Sequence, residues 1–292
     1  MSSPGTVLAV DVGGTKLAAG VVDESGRVLR STTAPTPTGP DPEEVFAALL
    51  HAVDGVGPEG VVACGVGCAG PMTLHGQTVS PLNIPGWRGF PLLSRLQQHL
   101  DLPVVVDNDA KALALGEGWR GAGAGVGSFL AMVVSTGVGG GLVVDGRLLD
   151  GAQGNAGHVG HVVVVPGGAV CGCGGRGCLE AEISGSGIRR RTGTAAQDVD
   201  DVEVQRAGRL LGEGLASVVN LLDLSLVAVG GSVALGFGEP FFAAANTALH
   251  ATSRLDFTAG CRVVPVGLGR EGPLVGAGAL AWRALGVDVG VR

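Results

Sequence analysis

Residues 7–22 read VLAVDVGGTKLAAGVV, two apolar runs on either side of Asp11-Val-Gly-Gly-Thr-Lys16. Val7–Val12 suits a buried strand, Leu17–Val22 suits a second, and Asp23-Glu-Ser-Gly26 turns the chain into a third. Strand, Gly-Gly turn and strand make a hairpin whose backbone N–H groups can face an anion. Asp11 at the strand end suits a Mg²⁺ held through water. Thr15 and Lys16 suit phosphate oxygens, with Gly13 and Gly14 presenting backbone between them. The G-x-x-x-x-G-K-[ST] pattern of a Walker loop is absent. An ordinary hairpin turn would use the same residues. The device recurs, however. Phe129–Val134 runs into Ser135-Thr-Gly-Val-Gly-Gly-Gly141 and then Leu142–Val144. Two such hairpins, one in each half of the chain, predict two related lobes with a polyphosphate between them.

Between the hairpins, Pro42–Val53 is predicted as a helix capped by Asp41, with proline in its first turn. Val61–Val66 is a strand running into the tight turn Gly67-Cys-Ala-Gly-Pro71. Ser80–Trp87 is an irregular loop, its tryptophan either exposed for a sugar to stack on or packed as an anchor. Leu92–Leu100 is an amphipathic helix and Val104–Val106 a short strand. Asp107-Asn108-Asp109 follows, where a strand ends and a helix over 110–117 begins. Open α/β sheets place ligand-binding residues at such junctions, and a carboxylate there can take a proton from a hydroxyl. Helix capping would use the same residue types. Beyond the second hairpin, Ser184–Gly187 starts a helix, 204–222 is a long core helix, and Leu226–Val229 ends in a third glycine turn, Gly230-Gly-Ser232. Phe241–His250 is helical, Cys261–Val266 is a last strand, and Pro273–Leu285 is a closing Gly/Ala-rich helix.

The stretch Gly151–Glu182, GAQGNAGHVGHVVVVPGGAVCGCGGRGCLEAE, holds His158, His161, Cys171, Cys173 and Cys178, followed by Glu180 and Glu182. Thiolates and imidazole are the usual zinc ligands, and four protein ligands close a structural site. Three cysteines and one histidine supply that number, and the intervening glycines let a short loop fold around one ion. Three unrelated buried thiols, or a disulfide, are the competing readings. The odd thiol number and the lack of a secretory signal disfavour the disulfide.

The 292-residue chain is 46% hydrophobic and only 15% charged, which excludes disorder. It suits one large domain or two ordinary ones. Its 54 glycines mark tight turns and close backbone approaches. A net charge of −7 argues against a nucleic-acid surface. No apolar run reaches the roughly 18 residues of a membrane span. A reduced, cytoplasmic location is expected, with Cys64, Cys68 and Cys261 as small buried residues.

Taken together, Asp11–Lys16, Asn108-Asp109, Ser135–Gly141, the His161/Cys171/Cys173/Cys178 cluster and Gly230–Ser232 resemble the ROK family of sugar kinases and related repressors. The resemblance covers nearly the whole chain, and the Cys-x-Cys-Gly-x-x-Gly-Cys-x-Glu run is its most specific part. It implies an α/β, two-lobed actin-like (ribonuclease H-like) fold with a central ligand cleft. The lobes are expected over 1–115 and 116–292, the last helix packing back on the first lobe. It also implies phosphoryl transfer from MgATP to a sugar hydroxyl, usually at carbon 6. Asp109 then looks like the general base, and Asn83, Asn108, His158, His161 and Glu180 look like sugar ligands. His161 also looks like a zinc ligand with Cys171, Cys173 and Cys178. Asp11–Lys16 with Thr136, Gly137 and Gly139 would face the phosphates, and Gly230 and Gly231 the adenosine.

Family members that use glucose usually carry glutamate three residues before the zinc histidine. Here His158 stands there, as in bacterial N-acetylmannosamine kinases, whereas Asn83-Ile-Pro-Gly-Trp87 is closer to glucokinases. N-acetylmannosamine is the first expectation and glucose the second. A sugar-responsive repressor would need a DNA-binding domain before the hairpin. A zinc hydrolase would need an open metal position, which four protein ligands do not leave. The expected partners are a sugar and ATP, with no nucleic acid and no membrane, and a second copy in a homodimer or larger homo-oligomer.

Overall fold

A computed structural model describes residues 5–292, and both hairpins form the centres of sheets. The first sheet comprises β1 (Thr6–Val12), β2 (Lys16–Asp23), β3 (Val28–Pro35), β4 (Val61–Cys68) and β5 (Val104–Asn108), in the order β3-β2-β1-β4-β5. Strands β1, β2 and β3 pair antiparallel, whereas β4 and β5 join in parallel. The second sheet comprises β6 (Phe129–Val134), β7 (Val138–Val144), β8 (Arg147–Leu148), β9 (Leu226–Gly230) and β10 (Arg262–Pro265). Its order is β8-β7-β6-β9-β10 with the same pattern of directions. The two halves are therefore one topology used twice.

Parallel strands require crossover helices. In the first half these are α1 (Pro42–Gly55) and α2 (Leu92–Leu100). Asp41 caps α1 by accepting from the Glu43 N–H. In the second half, short helices α4 (Leu179–Ile183) and α5 (Gly185–Thr192) lead into α6 (Asp201–Leu222). Helices α7 (Ser232–Phe237) and α8 (Glu239–Thr252) separate β9 from β10. Each last strand continues towards one more helix, β5 into α3 (Asp109–Arg120) and β10 towards α9 (Gly272–Ala284).

Side chains along each central strand point alternately to the two faces, as the two-residue period requires, and both faces are buried. In β1, Leu8, Val10 and Val12 face α1 and α2, where they meet Phe46, Leu49 and Leu96. Val7 and Ala9 face the opposite way, onto α3 and α9. In β6, Leu130, Met132 and Val134 face α6 and α8, and Phe129 and Ala131 face α3 and α9. The layers thus run helices, sheet, the α3–α9 pair, sheet, helices. Both sheets are covered on both faces, which explains the continuous apolar runs.

The middle layer is built from small residues because backbones meet there. A Cβ on Gly276 of α9 would collide with the Ala112 carbonyl oxygen of α3, and one on Gly116 would lie 2.9 Å from the Gly276 nitrogen. A Cβ on Gly65 of β4 would collide with the Ala277 carbonyl. This is why the closing helix is rich in glycine and alanine. At the far end of α3, buried Glu117 accepts N–H groups of Ala122 (2.7 Å), Gly267 (2.8 Å) and Leu268 (3.0 Å). It joins the exit of α3 to the chain leaving β10.

One open alternative closes, on the packed-anchor side, and one expectation changes. The tryptophan of the 80–87 loop is not open to a stacking sugar. Trp87 is 0% exposed, its ring stacks on Phe90 at 4.3 Å, and its Nε1–H donates to the Pro42 carbonyl at 3.1 Å. The loop is short enough that its one large ring folds inward and anchors it. Nor is Ser135–Gly141 all turn. Only Ser135–Gly137 turn, and the remaining glycines lie within β7, where α3 presses on Gly141. A Cβ on Gly141 would sit 2.8 Å from the Lys111 Cα, and one on Gly139 would sit 3.4 Å from the Ala110 Cβ. Helix α7 was not anticipated beyond the glycine turn that starts it. Among the described residues, no helix is long and apolar enough to cross a membrane.

Replacing Gly65 by alanine is expected to lower stability by about 1–3 kcal/mol, the usual cost of overpacking. Gly172→Ala, where an added Cβ meets nothing within 4 Å, is expected to change it by under about 0.5 kcal/mol. Urea unfolding of the two variants checks the contrast.

Candidate active site

The strand ends and the two hairpin turns meet in one cleft. Asp11 lies at the end of β1, and the turn Gly13–Thr15 follows. The turn is held by Gly13 N–H donating to the Lys16 carbonyl (3.1 Å) and by the Thr36 hydroxyl donating to the Gly13 carbonyl (2.7 Å). Thr15 and Lys16 are exposed at its tip. A Cβ on Gly14 would lie 2.5 Å from the Asn83 Cβ, so Gly14 lets the 80–88 loop rest on the hairpin. Arg88 fixes that loop: its guanidinium donates to the carbonyls of Pro81 (2.8 Å), Ile84 (3.0 Å) and Trp87 (2.7 Å). Sequence reasoning did not single out Arg88, because its partners are carbonyls that only the folded loop gathers.

Asn108 ends β5 and caps α3, its Oδ1 accepting from Ala110 N–H at 3.0 Å. Capping and site geometry are therefore both satisfied by one residue. Its amide nitrogen is the atom nearest to where a Gly70 Cβ would stand (3.2 Å), with the His158 ring at 3.7 Å from the same point. Asn108 and His158, one from each half of the chain, thus face each other across Gly70. Asp109 opens α3 and accepts from Ala110 N–H at 2.8 Å. Burial raises its pKa above the ordinary aspartate value, against that hydrogen bond. Burial, then the neighbouring Asp109 charge, push Asp11 up to about 7, against the pull of Lys16. A buried carboxylate whose pKa is raised by a second carboxylate beside it marks a place where a cation is favoured.

From the second half, Glu180 of α4 reaches the second hairpin turn. Its Oε2 accepts from Val138 N–H at 2.9 Å, and a Cβ on Gly137 would lie 2.8 Å from the same oxygen and 3.9 Å from the Asn83 amide nitrogen. Asn83, Gly14, Gly137 and Glu180 thus line the place where the two lobes meet. Thr136 is exposed at the turn, whereas Gly139 is turned towards Ala110. Nearby, the Ser135 and Ser232 hydroxyls lie 3.0 Å apart, and Gly185 N–H donates to the Ser135 carbonyl at 2.7 Å. Gly231, with φ +95°, admits the sharp entry into α7, while Gly230 is buried against Val266.

His161, Cys171, Cys173 and Cys178 offer one donor atom each, all within 4.8 Å of one another. The His161 Nδ1 is 3.6 Å from the Cys171 Sγ, and the Cys173 and Cys178 Sγ atoms are 3.8 Å apart. Tetrahedral zinc with bonds of about 2.3 Å to sulfur and 2.0 Å to nitrogen requires edges of about 3.8 and 3.5 Å. A disulfide would need sulfurs about 2.05 Å apart. The donor set can therefore hold one tetrahedral ion. The His158 and His161 rings stack with centroids 5.9 Å apart. His158 is exposed at the cleft; the partial burial of its ring, then the charge of His161, hold its pKa below the ordinary value despite Glu180. Behind the loop, buried Glu182 accepts from Ala169 N–H at 3.0 Å and pairs with Arg206 of α6. Burial raises the Glu182 pKa, but the Ala169 N–H and Arg206 outweigh it, leaving the carboxyl below the ordinary glutamate value.

Comparison with known proteins agrees with this arrangement. A profile described as the ROK family matches residues 7–284. The chain belongs to the ROK family. Among its ROK relatives, a glucokinase of Streptomyces coelicolor is 43% identical over 188 residues, 64% of this chain and 58% of that protein. The chain thus spans under two thirds of that glucokinase's length. An N-acetylmannosamine kinase of Escherichia fergusonii is 35% identical over 270 residues, 84% of this chain and 91% of that protein. Among solved structures, a ROK glucokinase from Streptomyces griseus in complex with glucose and AMPPNP superposes with a TM-score of 0.84 at 34% identity. That alignment covers 96% of this ROK chain and 100% of the other. The fold is accordingly the two-lobed, actin-like fold of ROK sugar kinases.

Glu182→Gln keeps an acceptor for Ala169 and removes the charge. It is expected to lower stability by about 1–3 kcal/mol at neutral pH, because Arg206 loses the nearer of its two carboxylate partners. The folded carboxyl lies below its unfolded value, so this contribution is complete at neutral pH and is lost as pH falls through the folded value. The gap between variant and wild type should therefore close in acid, as read by urea unfolding at both pH values.

Proposed function

We propose that this protein is an ATP-dependent sugar kinase that phosphorylates the 6-hydroxyl of a hexose or N-acylhexosamine, N-acetylmannosamine first and glucose second. The observation that carries the reading is the meeting of Asp109, Asn108, Asn83, His158 and Glu180 between two hairpin turns of matching topology. Phosphoryl transfer needs alignment and charge neutralisation more than covalent chemistry, and this cleft is built for both.

In this reading Asp109 accepts the proton of the sugar hydroxyl as its oxygen bonds to the γ-phosphorus. The bond from that phosphorus to the β–γ bridging oxygen breaks, and ADP leaves. The raised pKa of Asp109 suits a base better than an ordinary aspartate would, since it lies nearer the operating pH. Asn83, Asn108, His158, His161 and Glu180 orient the sugar. Gly13–Lys16 and Thr136–Gly137 face the phosphates, and the junction around Gly231 faces the adenosine. Asp11 and its neighbour Asp109 would attract Mg²⁺, which neutralises phosphate charge when bound. His161, Cys171, Cys173 and Cys178 would hold zinc as a structural ion shaping the sugar loop.

Asp109→Asn keeps the shape and removes the basicity. The expected outcome is a kcat lowered roughly 10²–10⁴-fold with sugar binding largely retained. A coupled ADP-release assay over a panel of sugars measures it, and near-normal turnover would leave only a capping role. Metal analysis is expected to find one zinc per chain, lost in Cys173→Ala together with much of the stability and sugar affinity. A folded, fully active, metal-free Cys173→Ala protein would remove zinc from this account.

The choice of sugar rests on His158. A neutral imidazole can donate to an acetamido carbonyl, which an ionised glutamate cannot do. His158→Glu is therefore expected to move the kcat/KM ratio from N-acetylmannosamine towards glucose. A wild type that prefers glucose, or an unchanged ratio in the variant, would assign His158 another part.

A further inference from the structure

Lys111 takes no part in the cleft chemistry above, yet it is 2% exposed and is one of only two lysines in the chain. Burying an ammonium group is costly unless it is paired and hydrogen-bonded. Its Nζ has three partners: the Asp107 carboxylate at 2.9 Å, the Asp150 carboxylate at 2.6 Å and the Gly154 carbonyl at 3.5 Å.

These partners come from both halves of the chain. Asp107 lies at the end of β5, and its Oδ1 also accepts from Asn108 N–H at 2.7 Å. One carboxylate oxygen thus takes the lysine on one side and holds the backbone immediately before Asp109 on the other. Asp150 follows β8 of the second sheet and opens the segment that ends at His158. That segment folds back on its own start, Ala156 N–H donating to the Asp150 carbonyl at 2.9 Å. Asn155 then fastens it to the first half, exchanging hydrogen bonds with the Met72 carbonyl (3.1 Å) and N–H (3.4 Å). His158 follows three residues later, opposite Asn108 across Gly70.

We propose that Lys111 is a positioning residue. Its ammonium latches residues 150–158 of the second lobe onto the β5–α3 junction of the first, and so sets His158 against Asn108 and Asp109. The sugar-binding part of this inference rests on the proposed kinase function; the latch itself does not. A latch of this kind acts on the sugar side of the cleft and leaves the nucleotide side alone. It also makes Lys111 and Asp150 one unit, so removing both should cost little more than removing one.

The test compares wild type with Asp150→Asn, Lys111→Met and the double variant, using amide hydrogen exchange and steady-state kinetics on the sugar that wild type phosphorylates. The Asp150 side chain is 55% exposed, so Asp150→Asn keeps the fold even if Lys111→Met does not. Asp150→Asn is expected to speed exchange over residues 151–158 by about tenfold and to raise the sugar KM by about as much, since a charge-assisted bond is lost. The ATP KM should stay within about twofold, and the double variant should match Lys111→Met. Unchanged exchange over 151–158 would overturn the latch, as would additive effects of the two substitutions. Equal shifts in both KM values would reduce Lys111 to a general stabilising pair. If wild type phosphorylates no sugar, the proposed function falls, and the exchange measurement still decides the latch.

Discussion

The close approach of two helix backbones, α3 and α9, is the constraint on which the structure depends. Gly116 and Gly276 bring them together without intervening side chains, and Gly65 lets α9 lie directly on β4. Both sheets then pack on this pair, so its thickness sets their separation. Glu117 closes the far end with three backbone N–H groups. A buried carboxylate so fully satisfied fixes a junction that apolar contacts alone would leave free to slide. The near end of α3 is where Asp109 stands. The carboxylate proposed as base is thus the first residue of the helix that Glu117 fixes at its other end.

Turn formation explains the many glycines at positive φ, and close packing of the backbone explains others. Gly141 lies inside a strand where α3 lies across it. Gly14 and Gly137 leave room for Asn83 and for Glu180. Phosphate recognition and helix packing make the same demand, a backbone with nothing projecting from it. A glycine-rich motif therefore has two explanations in this fold, and the neighbours of each glycine decide between them.

Much of this was legible in the chain alone. The apolar runs of β1, β2, β6 and β7 marked the two sheets, because strands buried on both faces carry no polar alternation to confuse the period. The four donors His161, Cys171, Cys173 and Cys178 were legible because metal geometry ties ligand type to a short spacing. Asn108 and Asp109 were legible as a strand-to-helix junction. Trp87 was not: whether a loop tryptophan faces out or in depends on Phe90 and the Pro42 carbonyl, which meet it only after folding. Arg88, Glu117 and Lys111 were invisible for a related reason. Each is explained by partners distant in sequence or by backbone atoms, and neither leaves a pattern in the letters.

Glu180 has a consequence beyond the sugar. One of its oxygens holds the Val138 N–H, at the exit of the hairpin turn proposed to face the phosphates. A sugar seated on this carboxylate and a nucleotide seated on the turn would therefore share a single side chain. Whichever arrives first restricts that side chain and leaves less conformational entropy for the other to remove. Thermodynamic reciprocity then requires each to tighten the other by the same factor. On that proposal the donor and acceptor pockets would form one cooperative unit, joined by a bond of 2.9 Å.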